Sequence, residues 1–583
     1  MRPRRRNNNT VWEYRSLDPT AEKRLEEDLH IHKILAQVLA SRKMDSPSEA
    51  FAFLNPRLSA IKDPYLLRDM DKAVDRFVKA VKNHEKICIY GDYDVDGITA
   101  TVLLIRFLKW LDRDVDYYVP SRITEGYGMN CSAIERIAQK KTTLLITVDN
   151  GISALKEVAY ASSLGMDVII TDHHQSGHEL PAAVAIVNPN RKDAPYLDTP
   201  FAGVGVAFKF VHAACRGLGI ESEHAKRFLS SMLDLVALGT VADIVPLTGE
   251  NRILVKFGLQ KLQTTDKLGL STLTQLACSP DKDLTPEAVS YNIAPRINAA
   301  GRTDQASLCI DLLLTEDQMK AIEISRQLNR LNEERRRLEA DILEACLSYL
   351  TTKEKIEEQS ILVVQGEGWH VGVLGIVASR LLERFKKPAI VLTLDKDTAR
   401  GSGRSIQGFD LFQALEHCDE YLLDYGGHQR AVGLTLKTSD IAEFRKAINQ
   451  YAEGKIDAAL RDSVLFIDAE INAEDLTLDT VSALSALEPY GTANPPPLFS
   501  MRNVSLLEQP RIVGQDHVKL YLCQEGIGLQ AIAFSMADLV PQLSDTSRSF
   551  DIAFTPYINK WKGYQNVELE IKDIKFNNKK DEP

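Results

Sequence analysis

Asp92, Asp94 and Asp96 alternate in a short segment between an apolar run and a helical pattern, which predicts a strand, a turn and a helix. Carboxylates placed so closely repel one another unless a cation lies among them, and their oxygens suit Mg²⁺ or Mn²⁺. A calcium loop of the EF-hand type is excluded, because its glutamate position falls on Leu103, inside the apolar helical pattern. An acidic turn without a metal is the plainer interpretation of this segment taken alone.

Three further acidic or acid–histidine stretches follow apolar segments in the first half of the chain. They are Asp149-Asn150-Gly151 after residues 144–148, Asp172-His173-His174 after residues 168–171, and Asp243 after a helical pattern at residues 231–240. A single aspartate at a strand end usually caps a helix, and adjacent histidines are usually surface or core residues. In a parallel sheet, however, the carboxyl ends of the strands converge at one edge, where ligands bind. We therefore expect these side chains to form one cluster of carboxylates and imidazoles.

The strands and helices that must position this cluster lie between about residue 65 and residue 250. Strand patterns occur at residues 87–90, 115–119, 144–148, 168–171 and 184–187, and helical patterns at residues 98–111, 132–140 and 154–164. Near-continuous apolar strands that alternate with amphipathic helices predict an α/β fold, a doubly wound parallel sheet covered on both faces.

The whole chain has 583 residues, more than one hydrophobic core organises, so we expect about three or four domains. Its hydrophobic share of 44% and charged share of 26% are typical of a soluble globular protein, and no apolar stretch reaches the roughly 20 residues of a membrane span. The net charge of −11 argues against a general polyanion-coating protein, but not against an enzyme with a local basic groove. The eight cysteines form no Cys-x-x-Cys pair and the basic start lacks the apolar core of a secretion signal, so we expect a cytoplasmic protein with reduced thiols.

The second half of the chain has three predicted parts. Residues 316–350 are good helix formers without Gly or Pro, which predicts a long helix connecting two lobes. Residues 355–458 predict a second, smaller α/β domain. After about residue 460, short strand patterns and turns follow at the spacing of an OB-type β-barrel. Aromatic and cationic residues interleave from Tyr557 to Tyr564, with Trp561 among them, which fits either a single-strand-binding hairpin or simple aromatic packing.

Four segments are suited to contact phosphate. They are a loop at residues 120–128 with Arg122, a predicted loop before a helix at residues 295–302 with Arg302, a glycine–serine segment at residues 401–405 with Ser402 and Arg404, and Gly426-Gly427-His428. An arginine fork binds phosphate in a bidentate manner, and glycines allow a backbone to approach a ligand closely. Each segment alone fits a surface ion pair or an ordinary turn equally well.

Taken together, these motifs resemble those of a known family. Asp94-x-Asp96, Asp149, Asp172-His173-His174 and Asp243 resemble the four motifs of the DHH phosphoesterase superfamily, and residues 401–405 and 426–428 resemble its DHHA1 substrate domain. With the OB-type barrel, the chain is similar from about residue 40 to its C-terminal region to the RecJ family of bacterial exonucleases. In one place it departs from the superfamily, since many members have a histidine ligand where this chain has Tyr90. Asp92 is the natural substitute donor.

The resemblance implies a site with two divalent ions, Mn²⁺ or Mg²⁺, which would activate a water without a separate protein base. The implied metal ligands are Asp92, Asp94, Asp96, Asp149 as the bridging residue, His173 and Asp243. Of the two remaining residues of the histidine motif, His174 is expected to contact the scissile phosphate and Asp172 to orient a histidine from outside the ligand set. The expected substrate contacts are Arg122, Arg302, Ser402, Arg404, His428 and Trp561.

The implied activity is 5′→3′ hydrolysis of single-stranded DNA in DNA repair and recombination. The implied partners are single-stranded DNA, a single-strand-binding protein and a repair helicase, with a monomeric enzyme and no membrane. The expected division is an N-terminal extension at residues 1–50, packed on the residues directly after it, a DHH domain at 51–313, a connector helix at 314–352, a DHHA1 domain at 353–458 and an OB-type domain at 459–583. Two alternatives stay open: a DHH enzyme acting on short oligonucleotides or cyclic dinucleotides, and an inactive single-strand-binding scaffold.

Overall fold

The computed structural model describes residues 10–122, 124–194, 196, 199–280, 282–352, 356, 359–456, 464–544, 549–561 and 563–576, with Trp561 described by its backbone alone. The chain forms two compact units. A large unit comprises Arg57–Ile456 and Pro489–Asn494, and a terminal unit comprises Met1–Pro56, Asp457–Glu488 and Pro495–Pro583. No helix in the described part of the chain is long and apolar enough to cross a membrane.

The secondary structure is numbered in chain order. The strands are β1 (Val11–Tyr14), β2 (Ile87–Tyr90), β3 (Val115–Tyr118), β4 (Leu144–Val148), β5 (Asp167–Thr171), β6 (Ala185–Val187), β7 (Leu362–Glu367), β8 (Ala389–Asp395), β9 (Thr398–Arg404), β10 (Leu422–His428), β11 (Ala431–Lys437), β12 (Val464–Ile467), β13 (Ala469–Glu470), β14 (Phe499–Leu506), β15 (Arg511–Val513), β16 (His517–Gln524), β17 (Ile527–Ala533), β18 (Phe550–Trp561) and β19 (Tyr564–Phe576). The helices are α1 (Pro19–Leu29), α2 (Lys33–Ser41), α3 (Pro47–Leu54), α4 (Met70–Lys82), α5 (Val95–Trp110), α6 (Cys131–Gln139), α7 (Leu155–Ser163), α8 (Gly203–Gly217), α9 (Ser222–Ser231), α10 (Leu233–Ala242), α11 (Gly249–Gln263), α12 (Leu268–Ala277), α13 (Pro286–Ala288), α14 (Ala294–Gly301), α15 (Ala306–Leu314), α16 (Gln318–Thr352), α17 (Val371–Phe385), α18 (Leu411–His417), α19 (Ile441–Ala452), α20 (Leu478–Leu484) and α21 (Val540–Leu543).

The first sheet of the large unit is wholly parallel, with strand order β3-β2-β4-β5-β6. Its three central strands, β2, β4 and β5, are almost entirely buried, which explains their unbroken apolar sequence. The predicted parallel sheet is therefore confirmed. Helix α5 begins directly after Asp94, whose carboxylate caps it by accepting the Gly97 N–H at 3.0 Å.

The second sheet of the large unit has the order β10-β11-β9-β8-β7, and only the β7–β8 pair is parallel. Helix α16, 35 residues long, precedes this sheet and packs on α17. One ion-pair network joins the two helices. The buried Glu339 of α16 accepts from Arg335 at 2.8 Å and from Arg380 of α17 at 3.0 Å.

One segment that the sequence predicted as a loop before a helix, residues 295–302, is largely helical, so that prediction was wrong. These residues lie largely in α14, which continues a π-helical turn at Val289–Ile293 and has Pro295 in its first turn. The glycine-rich residues 401–404 lie in β9, and residues 426–428 end β10. Glycine is retained in β9 because a Cβ on Gly403 would lie 2.8 Å from Val432 of the neighbouring strand.

The terminal unit closes a β-barrel with the order β13-β14-β18-β19-β17-β16-β15, in which β14 also pairs with β16. This agrees with the predicted OB-type barrel. The N-terminal segment, expected to pack on the residues directly after it, belongs instead to this unit. Its strand β1 pairs in parallel with β12, and the Arg42 guanidinium binds both carboxylate oxygens of Asp468 at 3.1 and 2.9 Å.

One short turn, Pro489–Asn494, belongs to the large unit although the chain on both sides of it belongs to the terminal unit. The turn is closed by paired hydrogen bonds between Gly491 and Asn494. The carbonyl of Thr492 accepts the N–H of Leu247 at 2.8 Å. Leu247 is 2% exposed. This contact lies four residues beyond Asp243.

Candidate active site

The predicted site residues meet where three adjacent parallel strands end. Asp92 follows β2, Asp149 follows β4 and Asp172 follows β5. The chain leaves β2 for one neighbour, β3, and later returns to the other, β4, so a crevice opens between the ends of β2 and β4. Ligands of open α/β sheets bind at such a switch in strand order.

Three overlapping groups of side chains are close enough to hold a divalent ion, each with ligand atoms within 4.8 Å of one another. They are Asp92, Asp94 and Asp149; Asp96, His173 and Asp243; and Asp149, His173 and His174. Asp149 and His173 each belong to two groups. The convergence expected from the sequence is thus present, and Asp149 lies where the groups join.

The donor atoms fit a cation. Asp92 Oδ1, Asp149 Oδ1 and His173 Nε2 are buried and have no hydrogen-bond partner among the described residues. His173 Nε2 lies 3.1 Å from Asp149 Oδ1 without forming a hydrogen bond, 3.6 Å from Asp243 Oδ2 and 3.8 Å from Asp96 Oδ2. Buried polar atoms without partners are rare in proteins, and each of these three residues belongs to at least one of the ligand groups. Oxygen and imidazole donors together suit Mn²⁺ or Mg²⁺.

The protonation behaviour of the carboxylates points the same way. Burial, followed by the charge of Asp94, raises the pKa of Asp92 well above its ordinary range, and burial with the charges of Asp96 and Asp94 does the same for the pKa of Asp149. Burial and Asp243 raise the pKa of Asp96 to about 7, and burial and Asp94 raise the pKa of Asp243 to about 7. A divalent cation would offset both causes at once.

Helix α8 supports two of these aspartates, a role that the sequence analysis missed. The first backbone amides of α8 donate to Asp96, Gly203 N to Oδ2 at 2.6 Å and Val204 N to Oδ1 at 2.8 Å. A Cβ on Gly203 would lie 2.6 Å from the Cβ of Asp149, so this position requires glycine. Asp149 itself has a left-handed backbone, with φ of 62°. The available signal was the glycine pair, Gly203 and Gly205, at the start of an apolar helical pattern.

The second histidine of the motif is held by the aspartate that precedes the pair. Asp172 Oδ1 lies 2.7 Å from His174 Nδ1 and also accepts the backbone N–H groups of His173 and His174. Burial acts to raise the pKa of Asp172, but the hydrogen bond and charge of His174, with the charge of His173, outweigh it and lower the pKa to about 2. Burial acts to lower the pKa of His174, but Asp172 raises it to about 9. The Tyr127 hydroxyl, which the sequence analysis did not single out, lies 3.1 Å from His174 Nδ1 and donates to the Asp149 carbonyl at 3.2 Å.

Tyr90 does not occupy the position of a ligand. Its hydroxyl donates to the Gly128 carbonyl at 3.1 Å and accepts from Asn130 Nδ2 at 3.2 Å. Asp92, two residues later, belongs to the ligand group with Asp94.

Each of the three predicted substrate arginines has a defined contact for its guanidinium. The Arg122 guanidinium lies 5.2 Å from the ring centroid of Tyr93. Arg302 Nη1 donates to the Gly372 carbonyl at 2.6 Å. Arg404 Nη1 donates to Ser402 Oγ at 3.1 Å.

The arginines also repel one another. Burial, followed by the charges of Arg122, Arg335 and Arg404, lowers the pKa of Arg302 to about 9. Burial and the charge of Arg122 lower the pKa of Arg404. Buried cations that repel each other in this way favour an anion, and the guanidinium fork matches a phosphate.

The last two predicted contacts are less defined. His428 lies exposed at the end of β10, where Nδ1 accepts the Arg430 N–H at 3.3 Å. Partial burial and the charge of Arg404 lower the pKa of His428, which places it on the side of the arginines. Trp561 ends β18, and its side chain lies outside the described part of the structure.

Three family models match successive parts of this chain. They are the DHH family N-terminal domain over residues 86–240, the DHHA1 domain over residues 358–454 and the RecJ OB domain over residues 467–573. The chain is 38% identical over 566 residues to the single-stranded-DNA-specific exonuclease RecJ of Bacillus subtilis (strain 168), a match that covers 96% of this chain and 70% of that protein. The protein of the same name from Haemophilus influenzae is 35% identical, with 93% and 96% covered. The chain belongs to the RecJ family.

Solved RecJ structures share this fold. The crystal structure of RecJ in complex with Mn²⁺ from Thermus thermophilus has a TM-score of 0.84 and 28% identity, and the match covers 98% of this chain and 80% of that one. A second structure, of exonuclease RecJ bound to manganese, has a TM-score of 0.60 and 32% identity and covers 70% of this chain and 100% of that one. The expected family and fold class are thereby confirmed.

Replacing Gly203 with alanine is expected to weaken Mn²⁺ binding, because the new Cβ must displace Asp149 or the amide that holds Asp96. Disturbing such supporting groups lowers metal affinity by about tenfold or more. Isothermal titration calorimetry with Mn²⁺, in the absence of DNA, measures the effect, and circular dichroism checks the fold. Gly177→Ala is the control, since Gly177 is exposed and its Cβ would meet nothing closer than 3.8 Å. Equal affinity in the two variants would show that Gly203 does not position the ligands.

Proposed function

We propose that this chain hydrolyses single-stranded DNA from the 5′ end as a metal-dependent exonuclease in DNA repair and recombination. The observation that carries the proposal is the convergence of two adjoining ligand groups, around Asp94 and around Asp96, in a chain of the RecJ family. Neither alternative, a phosphodiesterase for short oligonucleotides or cyclic dinucleotides or an inactive scaffold, has an observation of its own in its favour.

The proposed cofactors are two divalent ions, Mn²⁺ or Mg²⁺. Asp92, Asp94 and Asp149 would hold one, and Asp96, His173 and Asp243 would hold the other. We assign Asp149 as the shared ligand, since its Oδ1 lies 3.1 Å from His173 Nε2. Bound ions of this kind stabilise charge on a phosphate and lower the pKa of water. The unpaired atoms of Asp92, Asp149 and His173 support this assignment, as does the placement of Asp92 where Tyr90 turns away.

The residues around the ligands have separate roles. Asp172 and Tyr127 fix the ring of His174, which we assign to the scissile phosphate. The α8 amides hold the carboxylate of Asp96 so that it cannot rotate away when its neighbours repel it. Every catalytic contact in this assignment comes from elements at the carboxyl edge of one sheet.

The arginine cluster is proposed to bind the terminal phosphate and so to set the polarity. Burial, followed by the charge of Arg122, lowers the pKa of both Arg302 and Arg404, and the charge of Arg404 adds to the effect on Arg302, which supports a shared anionic ligand. Ser402 and His428 lie beside Arg404 and are proposed as further contacts. A 5′-phosphate held here would place the first phosphodiester bond near the proposed metals.

The terminal unit is proposed to bind the single-stranded DNA at nucleotides beyond its 5′ end. Strands β18 and β19 form a hairpin in which Tyr557 pairs with Glu568 and Asn559 with Asn566. Glu568 accepts from the Tyr557 hydroxyl at 2.8 Å and from Asn559 at 2.7 Å, while Tyr564 is 81% exposed. An exposed aromatic side chain beside fixed polar groups is suited to stack on a base. Trp561 is proposed as a second stacking residue.

The remaining expectations stay proposals. They are association with a single-strand-binding protein and a repair helicase, a monomeric state, a cytoplasmic location, and the domain boundaries at residues 50, 313, 352 and 458.

The variant Asp149→Asn is expected to lose hydrolysis, because it removes the charge shared by two ligand groups yet tolerates the left-handed backbone. The measurement is Mn²⁺-dependent release of nucleotides from a 5′-labelled single strand. Asp112→Asn is the matched control, since Asp112 is exposed and also left-handed, with φ of 54°. If Asp149→Asn keeps more than about a tenth of the rate, a loss of only about 1.4 kcal/mol in barrier, the bridging assignment is wrong.

The variants Arg404→Ala and Arg122→Ala are expected to raise KM more than they lower kcat, because these residues bind phosphate outside the ligand groups. They should also reduce any preference for a 5′-phosphate. Kinetics on two single strands, identical except for a 5′-phosphate or a 5′-hydroxyl, test this. Arg216→Ala serves as control, because Arg216 forms an exposed pair with Asp63 at 2.7 Å. If Arg404→Ala and Arg122→Ala both keep the wild-type KM and the wild-type end preference, these arginines have a structural role and do not bind the phosphate.

The variant Tyr564→Ala is expected to weaken binding of long single strands without changing kcat. Base–aromatic stacking contributes roughly 1–3 kcal/mol per base, which corresponds to about fivefold or more in affinity. Fluorescence anisotropy with a labelled oligonucleotide, in Ca²⁺ to prevent cleavage, measures it. Leu507→Ala removes another exposed apolar side chain of the barrel and should have no effect. If both variants bind DNA equally well, the hairpin does not contact the strand.

A further inference from the structure

The carboxylate of Asp243, unlike those of Asp94 and Asp96, accepts no hydrogen bond among the described residues, a property that it shares with Asp92 Oδ1 and Asp149 Oδ1. Asp94 accepts an amide of its own helix, and Asp96 accepts two amides of α8. Asp243 instead follows the last residue of α10, where its backbone N–H bonds to the Gly239 carbonyl at 3.0 Å. No hydrogen bond thus fixes its side chain, which is carried by the backbone between the end of α10 and Leu247.

That path contains an unfavourable residue. Ile244 has a φ of 62°. Of the residues with such a left-handed backbone in the described ranges, it is the sole β-branched one. Branching at Cβ makes this conformation costly, and it persists only when surrounding structure imposes it. The Ile244 side chain is 69% exposed, so its own packing does not impose it.

The constraint comes from the turn Pro489–Asn494. Its Thr492 carbonyl accepts the Leu247 N–H at 2.8 Å, and a Cβ on Gly491 would lie 2.6 Å from Leu247 Cδ1. The side chain of Leu247 is thus pressed against the backbone of the turn. Leu247 is 2% exposed, so this contact closes over it.

The turn is itself fixed. Asn494 Nδ2 donates to the Pro489 carbonyl at 2.9 Å, and the guanidinium of the buried Arg252 approaches the same carbonyl at 3.5 Å. On the other side, Asn251 Nδ2 donates to the Pro246 carbonyl at 3.0 Å. Residues 246 and 247 are therefore anchored from α11 and from the turn together.

We infer that the turn Pro489–Asn494 is a positioning element for the metal centre. By holding Leu247 it forces Ile244 into the left-handed conformation, and that conformation directs Asp243 toward His173. Gly491 and Leu247 are positioning residues that act through Asp243. The inference rests on the proposed role of Asp243 as a metal ligand.

The test uses the full chain and measures Mn²⁺ affinity without DNA by the electron paramagnetic resonance of free Mn²⁺. Gly491→Ala and Leu247→Ala should each weaken Mn²⁺ binding about tenfold, the size typical of groups that support ligands. Gly217→Ala is the matched control. Its Cβ would lie 2.3 Å from a methyl group of Val74, a comparable clash in the same unit without a contact to this loop. It should lower the melting temperature but leave Mn²⁺ affinity unchanged.

A double-mutant cycle separates positioning from general damage. In an Ile244→Gly background the left-handed conformation carries no steric cost, so adding Gly491→Ala should reduce Mn²⁺ affinity much less than it does in the wild-type background. Equal reductions in the two backgrounds, or no reduction at all, would overturn the inference.

A further variant distinguishes failure of the inference from failure of the proposed function. If Asp243→Asn keeps wild-type Mn²⁺ affinity, the ligand assignment itself is wrong. If Asp243→Asn loses affinity while Gly491→Ala and Leu247→Ala do not, only the positioning role is wrong.

Discussion

The main constraint on the large unit is the mutual repulsion of the carboxylates at the ends of its parallel strands, which the surrounding groups must offset. Two like charges 4 Å apart repel by about 4 kcal/mol at the effective dielectric of a protein surface, whereas one hydrogen bond contributes about 1 kcal/mol net. The amides that α8 gives to Asp96 therefore do not offset the repulsion alone. Burial makes it worse, as the raised pKa values of Asp92 and Asp149 show. A bound cation is the simplest remedy, and the unpaired atoms are already aimed at one.

The three predicted substrate arginines form a second cluster of like charges, of the opposite sign to the aspartates. Burial and the charge of Arg122 lower the pKa values of Arg302 and Arg404, so an anion favours the assembly of these arginines as a cation favours that of the aspartates. The phosphodiester backbone of a nucleic acid supplies such an anion. Each cluster is thus electrostatically unfavourable by itself, and metal and substrate together would relieve both.

The sequence predicted what depends on local pattern. Apolar runs placed β2, β4 and β5 within about one residue, and convergence of parallel strands then brought Asp92, Asp149 and Asp172 together. It failed where tertiary packing overrides a local signal, as in residues 295–302, which were expected to form a loop but lie largely in α14. Contacts between distant segments had little or no signal. The glycines at positions 203 and 205 indicate a close approach but not that Asp149 is the partner, and nothing indicates that residues 489–494 lie beside Leu247.

The turn at Pro489–Asn494 has a consequence for the modularity of the molecule. From the sequence alone, the barrel resembles an independent C-terminal domain that could be exchanged among relatives at a single junction near residue 460. In space the junction is crossed repeatedly, since β1 completes the terminal unit from one end of the chain and the turn returns to the large unit from the other. A chimera joined at one point would take the turn and Leu247 from different parents. Exchange of the terminal unit between relatives would therefore have to include the N-terminal segment and keep the turn matched to Leu247.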